Sequence, residues 1–333
     1  MKKSVPYLGA LFIFLITLEV IMRVYIFWNH DERAGKLEYS PADSVANWRG
    51  LPFKIPVKDG NLLRLTKAGE VVFDLPFKIN SNATRGGFVN QTKNKSNSIH
   101  FIGCSYTFGT GVRDDETLPS YIAKKMADVQ TFNHGFSGST PVEILLKFQK
   151  VLPEEIVGTK RTFIYTFIDD HVRRHALSLP YVGRWGKWKQ VFKRKNETYE
   201  PIGVYKDLFP LKTAVYDFLT GSGIMYLLYP FRNPPLSIEE KKDLIHVYKL
   251  MERQSRLLGG DFLVLIWPGV VIKDWMIDGL REAGIAYLDL SQMDLYSHTK
   301  VPYIPVDLHP SPEGFAVVGN RLISYLQSRN QSK

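Results

Sequence analysis

The sequence has little cysteine and lacks the motifs that mark common binding modules. Its single cysteine, Cys104, excludes an intramolecular disulfide and a cysteine-based metal site. There are no internal repeats, and no zinc knuckle, RNP-like motif or helix-turn-helix pattern accompanies the net charge of +10. That charge therefore favours an anionic surface or an acidic polymer over nucleic acid. We predict no nucleic-acid partner, no metal and no cofactor.

Long apolar runs are also scarce, apart from one at the N-terminus. Lys2 and Lys3 precede an apolar stretch over 5–28 that only Glu19 and Arg23 interrupt, and these two can pair at i and i+4. If Arg23 reaches towards the interface, the run extends to about 20 residues, enough for one transmembrane helix. No small-residue cleavage site follows, which favours an uncleaved anchor over a signal peptide. The segment 1–28 therefore predicts a single-pass protein of the cell membrane, with the bulk of the chain outside the cytoplasm.

Beyond that segment, the pattern is that of an α/β protein. Residues 29–97 predict a linker and a small β-rich lead-in, with paired strands at 62–65 and 71–75 around a turn at 67–69. From residue 98 to about 330, apolar strands alternate with helices of regular apolar spacing. The predicted strands are 98–102, 131–133, 162–168, 261–267 and 285–290. The predicted helices begin near 114, 141, 237 and 272, and a last helix follows residue 315 and runs through Leu322 and Leu326. This alternation predicts a parallel sheet with right-handed crossovers.

The regular pattern is interrupted by an insert at about 178–235 that is rich in basic and aromatic residues. Its notable members are Trp185, Lys187, Trp188, Lys189, Lys193, Arg194 and Lys195. One interpretation is a solvated basic loop with its aromatic rings packed underneath. The other is a lip that touches the membrane surface or an anionic substrate.

The stretch 98–111 predicts a short apolar strand followed by a tight turn that carries a hydroxyl group. Ile99, Phe101 and Ile102 supply the strand, and Gly103 permits a turn that a side chain would obstruct. Ser105 comes just after the strand end, where open α/β sheets place their chemistry. In isolation, the same residues are also compatible with an ordinary glycine- and serine-containing loop after a core strand.

A second informative stretch, 306–315, follows the last predicted strand. It contains Asp307 and His309, which a parallel sheet would place at the same edge as Ser105. A hydroxyl is a poor nucleophile until a base takes its proton, and His309 is the candidate base. Asp307 could then fix the tautomer of His309 and support the imidazolium. Taken alone, a histidine before Pro310 is more simply read as a surface residue.

Three blocks of the sequence, taken together, resemble the SGNH/GDSL hydrolase family in order and spacing. They are 103–109, 133–138 and 307–310, the last followed by Gly314. The segment 80–86 also resembles the one that precedes the first block in membrane-anchored, cell-surface members. The resemblance implies a three-layer α/β/α architecture with a central parallel sheet, which is the flavodoxin-like SGNH hydrolase fold.

The resemblance also implies roles for individual residues. Ser105 would be the nucleophile, His309 the base and Asp307 the partner of that base. The backbone N–H groups of Ser105 and Gly138 would form two arms of an oxyanion hole, where donors act on the charge that develops in the transition state. The family adds an asparagine side chain to this hole, and the matching position here is Asp169.

The sequence departs from the family pattern at three positions. Cys104 replaces the usual aspartate before the nucleophile, and its thiol is a second candidate for that role. Val306 stands where the family commonly has its aspartate, so Asp307 lies two residues before His309 instead of three. Asp169 cannot donate a hydrogen bond unless it is protonated. Three outcomes follow: Asp169 faces away and pairs with Arg173 or Arg174, another group donates, or the activity is weak.

The same acidic stretch allows a different interpretation as a metal site. Asp169, Asp170 and His171 are adjacent, and all three side chains are metal-ligand types. No fourth ligand follows at a suitable spacing, so the hydrolase interpretation is preferred.

Two functions follow from the sequence. The first is an extracytoplasmic esterase or O-acyltransferase that forms an acyl-serine intermediate on ester-linked acyl groups, such as acetyl groups, of a cell-envelope or exported polysaccharide. The second is a non-catalytic protein of the same fold that binds a polymer or a partner in an envelope complex. Cys104 and Asp169 favour the second function, whereas Ser105, Gly138 and His309 favour the first.

Overall fold

The structure is a computed structural model, and it describes most of the chain. The described residues are 5–30, 36–66, 69–86, 97–153, 156, 158–183, 185–224, 236–271 and 274–331. Parts of several predicted features lie outside them: residues 1–4 of the N-terminal segment, 31–35, 67–68 and 87–96 of the linker and lead-in, 225–235 of the insert and the start of the helix at 272.

The centre of the molecule is a five-stranded parallel sheet, as the sequence predicts. Its strands, in chain order, are β6 (Asn97–Ile102), β7 (Val129–Asn133), β8 (Lys160–Phe167), β11 (Gly260–Ile266) and β12 (Tyr287–Asp289). Their order across the sheet is β12-β11-β8-β6-β7. The first strand therefore lies between the second and the third, which is the flavodoxin-like arrangement.

The two longest strands, β8 and β11, are mostly apolar towards their carboxyl ends, which suits a sheet that is covered on both faces. In β11 the last five residues are all buried, and in β8 the last five are buried as well. Phe101, Phe163, Tyr165 and Leu263 are completely inaccessible to solvent. The α/β class with a central parallel sheet is confirmed.

Helices cover the two faces of the sheet. Those around the sheet are α2 (Ser105–Phe108), α3 (Leu118–Lys125), α4 (Pro141–Phe148), α5 (Asp169–His175), α9 (Ile238–Leu257), α10 (Asp274–Glu282) and α11 (Pro312–Gln331). On one face α3 packs against α11, and on the other α9 packs against α4 and α10. The change of face follows from the reversal of strand order, because each parallel crossover is right-handed.

Capping residues set where several of these helices begin. Ser237 accepts a hydrogen bond from the Glu240 N–H while the Glu240 carboxylate accepts one from the Ser237 N–H, as the spacing predicts. Thr140 and Glu143 form the same reciprocal pair at the start of α4. Satisfying these N–H groups stabilises each helix start by about 1 kcal/mol.

The lead-in consists of two small antiparallel sheets. Strands β1 (Leu37–Ser40), β4 (Gly60–Leu65) and β5 (Val71–Phe77) form one, and β2 (Val45–Asn47) pairs with β3 (Lys54–Pro56) in the other. The predicted pairing of the two longer strands is confirmed. The apolar side chains of the larger sheet, including Phe73 and Phe77, pack around Phe108 of α2. The lead-in therefore contacts the helix that begins at Ser105.

The insert contains regular structure that its sequence does not predict. It has two short helices, α6 (Leu179–Val182) and α7 (Tyr205–Leu208), a hairpin of β9 (Gln190–Lys195) and β10 (Thr198–Val204), and a longer helix, α8 (Pro210–Gly221). Tyr181, Val182, Val191 and Tyr205 form a small core of their own. The sequence gives no regular pattern here because these elements are too short to show a clear period, and local side-chain packing supports them.

The N-terminal segment forms helix α1 (Val5–His30). The Glu19 carboxylate accepts hydrogen bonds from the Ser222 hydroxyl and from the Gly223 and Ile224 N–H groups, so α1 contacts the chain just after α8. Among the described residues, none of the helices combines the length and apolarity that crossing a membrane would need. The structure thus gives no support to the predicted transmembrane anchor at 1–28.

Candidate functional site

The turn after β6 is shaped by close approach of the backbone. Gly103 has a φ of 157°, and a Cβ there would lie 2.2 Å from Thr107 Oγ1. A Cβ at Gly135 would lie 2.4 Å from the Phe108 nitrogen. Only glycine fits at these two positions. The turn places Ser105 as the first residue of α2, with 4% of its surface exposed.

The position of this turn in the sheet marks it as a site for chemistry. Strand order reverses between β6 and β8, and ligands of open α/β sheets bind outside the carboxyl ends of strands at such a switch point. Ser105 follows β6, and Asp169 follows β8. Asp307 and His309 come from the loop between β12 and α11.

The structure brings Asp307 and His309 together. His309 Nδ1 and Asp307 Oδ2 share a short hydrogen bond, and the Asp307 side chain is 1% exposed against 21% for His309. Since Nδ1 is held by the carboxylate, Nε2 is the ring nitrogen left to face a substrate or a nucleophile. This is the arrangement that the sequence predicts for a base and its partner.

The loop that carries this pair has an unusual backbone. Val306 and Leu308 have φ values of 67° and 63°, a left-handed conformation that costs about 1–3 kcal/mol for residues with a side chain. Hydrogen bonds from the Ile304 N–H to the His309 carbonyl and from the Leu308 N–H to the Ile304 carbonyl hold the loop closed. Between these two residues, the Asp307 side chain is buried, with 1% of its surface exposed.

A cation from the lead-in contacts the other oxygen of Asp307. Arg64 Nε of β4 lies 3.1 Å from Asp307 Oδ1, and its side chain is 19% exposed. The N–H does not point along the line of a hydrogen bond, so the contact is an ion pair. Burial by itself would raise the pKa of Asp307, but the hydrogen bond with His309 and the positive charges of His309 and Arg64 hold it below its usual value.

Tyr106 joins the nucleophile turn to the acid–base loop. Its hydroxyl donates to the Leu308 carbonyl at 3.3 Å, and its ring centroid lies 5.6 Å from that of His309. Ser105 Oγ contacts Cys104 Sγ at 3.9 Å and makes no hydrogen bond with His309 in this structure. Catalytic hydrogen bonds are often long or unformed until substrate binds, so the placement on one sheet edge is the relevant observation.

Two backbone N–H groups are available for an oxyanion. In the described part of the chain, neither the Ser105 N–H nor the Gly138 N–H donates to any acceptor. Gly138 has a φ of 71°, which favours glycine. The ring of Trp185 from the insert covers Gly138, because a Cβ there would lie 3.4 Å from the ring. The insert therefore reaches the predicted oxyanion site.

Asp169 acts as an acceptor here. Its Oδ2 accepts a hydrogen bond from the Val271 N–H at 2.9 Å, from the loop after β11. The pairing with a neighbouring arginine is made by Asp170, which contacts Arg173 and Arg174. The Asp169 carboxylate thus does not serve as an amide-like donor in this structure.

The adjacent acidic and histidine side chains diverge. His171 is buried, and its Nδ1 hydrogen-bonds with the Tyr165 hydroxyl at 2.7 Å. Asp169 accepts a hydrogen bond from the Val271 N–H, and Asp170 pairs with Arg173 and Arg174. Over the described ranges, no cluster of three or more His, Cys, Asp or Glu could hold a metal. The alternative interpretation of 169–171 as a metal cluster is therefore not supported.

Cys104 is fully buried, with no exposed surface. A nucleophilic thiol must be both ionised and reachable by substrate. Ser105, with 4% of its surface exposed, is the more accessible of the two neighbours.

Two residues near the site were not predicted as part of it. Arg64 gives no sequence signal, because a lone arginine in an exposed-looking strand has no distinguishing spacing. Trp185 was noted only as part of a basic and aromatic insert. Both become visible only when distant segments are brought together.

Comparisons with known proteins add little to this picture. No family model matches the chain, and no curated protein matches it. Among solved structures, it is similar to G-D-S-L family lipolytic proteins from Desulfitobacterium hafniense DCB-2 (12% identity, 68% of this chain and 97% of that chain, TM-score 0.37) and Veillonella parvula DSM 2008 (10% identity, 68% and 97%, TM-score 0.38). It is also similar to a Bacillus subtilis protein (13% identity, 84% and 68%, TM-score 0.39).

Two of these three structures come from the family that the sequence motifs resemble. Because the TM-scores lie below 0.5, the proposed function depends on the residues of this chain and not on its similarity to these structures.

Proposed function

We propose that this protein is an SGNH-type serine enzyme that hydrolyses or transfers ester-linked acyl groups. The observation that carries the proposal is the Asp307–His309 hydrogen bond, which faces the same sheet edge as the Ser105 turn. The two N–H groups without acceptors, at Ser105 and Gly138, complete the parts that acyl transfer needs.

In the proposed reaction, His309 Nε2 takes the proton of Ser105 Oγ as the oxygen attacks the ester carbonyl carbon. The resulting oxyanion is stabilised by the N–H groups of Ser105 and Gly138. His309 then returns the proton to the leaving alcohol, and the acyl group stays on Ser105. Asp307 holds the imidazole in one tautomer and stabilises its protonated form. Water or a sugar hydroxyl, activated by His309, releases the acyl group.

The substrate and the location are proposed from the sequence. The basic insert and segment 1–28 support an acylated cell-envelope or exported polysaccharide, acted on outside the cytoplasm, with acetyl as the acyl group. A membrane association through the N-terminal helix and a place in an envelope complex are part of the same proposal. Cell fractionation with protease-accessibility mapping tests the location separately from the chemistry.

The chemistry is tested by intact-mass analysis of the full-length protein during turnover of p-nitrophenyl acetate. We expect nitrophenol release with a transient acetyl adduct in the wild type. Ser105→Ala should abolish the adduct and lower the rate by at least about 10³-fold, because the nucleophile is lost while the oxyanion donors remain.

Ser137→Ala is the matched control, because it removes a hydroxyl from the second block without touching the proposed nucleophile. It should keep the adduct. Equal rates and no adduct in wild type and Ser105→Ala would contradict the proposal. Adding acetylated and unacetylated oligosaccharides then separates hydrolysis from transfer, since only a transferase moves the acetyl group to the acceptor.

A second candidate function, polymer binding without turnover, is favoured by two observations. Ser105 Oγ contacts Cys104 rather than His309, and Asp169 offers no donor to an oxyanion. A binder would label poorly with a fluorophosphonate probe but retain affinity for the polysaccharide. An activated serine would label at Ser105 alone.

A further inference from the structure

The buried carboxylate of Asp307 is held at both of its oxygens. Oδ2 shares a hydrogen bond with His309 Nδ1, and Oδ1 lies 3.1 Å from Arg64 Nε. With 1% of the Asp307 side chain exposed, water does not compete for either oxygen. The two contacts come from different parts of the chain, because His309 belongs to the same loop as Asp307 whereas Arg64 belongs to β4 of the lead-in.

The lead-in sheet is packed so that Arg64 reaches this position. Arg64 pairs with Leu37 of β1 and with Phe73 of β5, so it lies on the central strand of the three. Phe73 and Ile304 both pack closely against Gly111. A Cβ at Gly111 would lie 2.4 Å from Ile304 Cδ1 and 2.9 Å from Phe73 Cε1. The glycine allows the sheet to approach the loop that carries Asp307.

We propose that Arg64 is a positioning residue for the acid–base pair, so that the lead-in sheet is part of the catalytic centre and not only a spacer. The proposal deepens the proposed function and rests on it. Arg64 acts through Asp307 and does not touch the reacting atoms.

The physical role has two parts. An ionised carboxylate in a buried place is strongly disfavoured unless a cation or several donors compensate it, and the guanidinium is always charged. A contact at each oxygen also restricts rotation of the carboxylate, so the imidazole that it binds is held in one orientation. A small displacement of a catalytic group can cost about 10²-fold in rate.

The pH dependence of activity separates this role from simple packing. The charged and titratable groups that face Asp307 are His309 on its own loop, Arg64 on β4 and Tyr106 on α2. Loss of the Arg64 charge removes one of the causes that hold the pKa of Asp307 down. Protonation of Asp307 removes the charge that supports the His309 imidazolium, so the acid limb of the kcat/KM profile should move to higher pH when the Arg64 charge is absent.

The test compares full-length Arg64→Met and Arg64→Lys with the wild type on p-nitrophenyl acetate. Arg64→Met keeps much of the side-chain length without the charge, and we expect kcat to fall about tenfold to a hundredfold with little change in KM. Its acid limb should shift to higher pH. Arg64→Lys retains the charge without the planar fork, so it should return the acid limb towards the wild-type position and recover part of kcat.

Lys54→Met is the matched control, because it removes an exposed cation from the same lead-in. It should leave kcat and the pH profile unchanged, and the melting temperatures of all three variants should show that they are folded. Wild-type kcat and pH profile in Arg64→Met would overturn the proposal. A lysine variant that behaves like the methionine variant would also overturn the electrostatic role.

A readout that needs no turnover distinguishes failure of this proposal from failure of the proposed function. The Nδ1 proton of His309, bound to a carboxylate, should give a downfield proton NMR signal that disappears in Asp307→Asn. If wild-type protein hydrolyses no ester, the proposed function fails, and the signal still reports on Arg64. A signal unchanged in Arg64→Met would then overturn the positioning role as well.

Discussion

Arg85 is almost fully buried, and its guanidinium group binds the end of the helix that carries Ser105. Its Nη1 donates to the carbonyls of Phe108 and Gly109, and its Nη2 donates to the Val112 carbonyl. Its Nε donates to Asp114 at 2.7 Å. One side chain thus satisfies two carbonyls at the C-terminal end of α2 and a third in the loop that follows it.

Arg85→Lys should destabilise the protein by about 2–4 kcal/mol, because an ammonium cannot reach all four acceptors and buried carbonyls lose their partners. Urea unfolding followed by fluorescence measures the change. Arg113→Lys is the matched control, since Arg113 lies in the same region and forms ion pairs, but its side chain is 64% exposed. It should cost less than about 0.5 kcal/mol. Similar losses in both variants would contradict the role assigned to Arg85.

At the scale of single elements, the insert places the ring of Trp185 next to Gly138, one of the two proposed oxyanion donors. Trp185 packs edge-on against Tyr181, with their ring centroids 4.7 Å apart. The Arg174 guanidinium carbon lies 5.2 Å from the centroid of the Trp185 ring. Arg174 in turn donates to the Ser139 carbonyl, next to Gly138. The ring of Trp185 therefore contacts both Tyr181 and Arg174, and Arg174 links it to the backbone next to Gly138.

Trp185→Ala should alter substrate selection more than the chemical step. We expect KM for acetylated oligosaccharides to rise about tenfold, while kcat for p-nitrophenyl acetate changes little, because a large aromatic contact surface is lost at the edge of the site. Trp188→Ala is the matched control, since Trp188 is 61% exposed. Equal effects of the two substitutions, measured by steady-state kinetics, would show that the insert does not line the site.

At the scale of the whole molecule, Lys147 ties the lead-in to the central domain. It lies on α4, is 2% exposed, and donates from Nζ to the carbonyls of Ala83 and His134, each at 2.9 Å. His134 belongs to the second sequence block, and Ala83 lies in the segment before β6. Burial lowers the pKa of Lys147 to about 7, because the charged form loses its hydration.

This lowered pKa predicts a dependence of stability on pH. Between about pH 7 and pH 10.5 the unfolded chain holds a proton on Lys147 that the folded protein has released, so the free energy of unfolding rises with pH across this window. The slope from one such group is at most about 1.4 kcal/mol per pH unit. Below pH 7, Lys147 is protonated in both the folded and the unfolded protein. The free energy of unfolding is then lowered by the full cost of burying the charge.

Lys147→Met should remove this slope, so wild type should gain stability relative to the variant from pH 7 to pH 10. The Lys147→Met variant should also be less stable than the wild type at neutral pH by about 1–3 kcal/mol, because the Ala83 and His134 carbonyls lose their donor. Urea unfolding across pH measures both effects. Lys150→Met, an exposed position just beyond α4, is the control and should leave the slope unchanged. Equal slopes in wild type and Lys147→Met would contradict the prediction.

Much of the central domain follows from local sequence. The strand before Ser105 is a run of apolar residues, and Ser237 with Glu240 marks a helix start by a reciprocal cap. These features act over a few residues, so they can be read without tertiary information. The insert could not be predicted in this way, because its short helices and hairpin depend on a small core formed by Tyr181 and Tyr205.

The chain alone determined which residue types can perform acyl transfer and the order in which the strands carry them. Ser105, Asp307 and His309 follow apolar strands, and parallel strands end at one edge, so their common location is a consequence of local pattern. Only the tertiary structure decided that Arg64 pairs with Asp307, that Trp185 covers Gly138 and that Asp169 accepts from Val271. These contacts join segments far apart in the chain, and their geometry depends on how the layers pack rather than on any local preference.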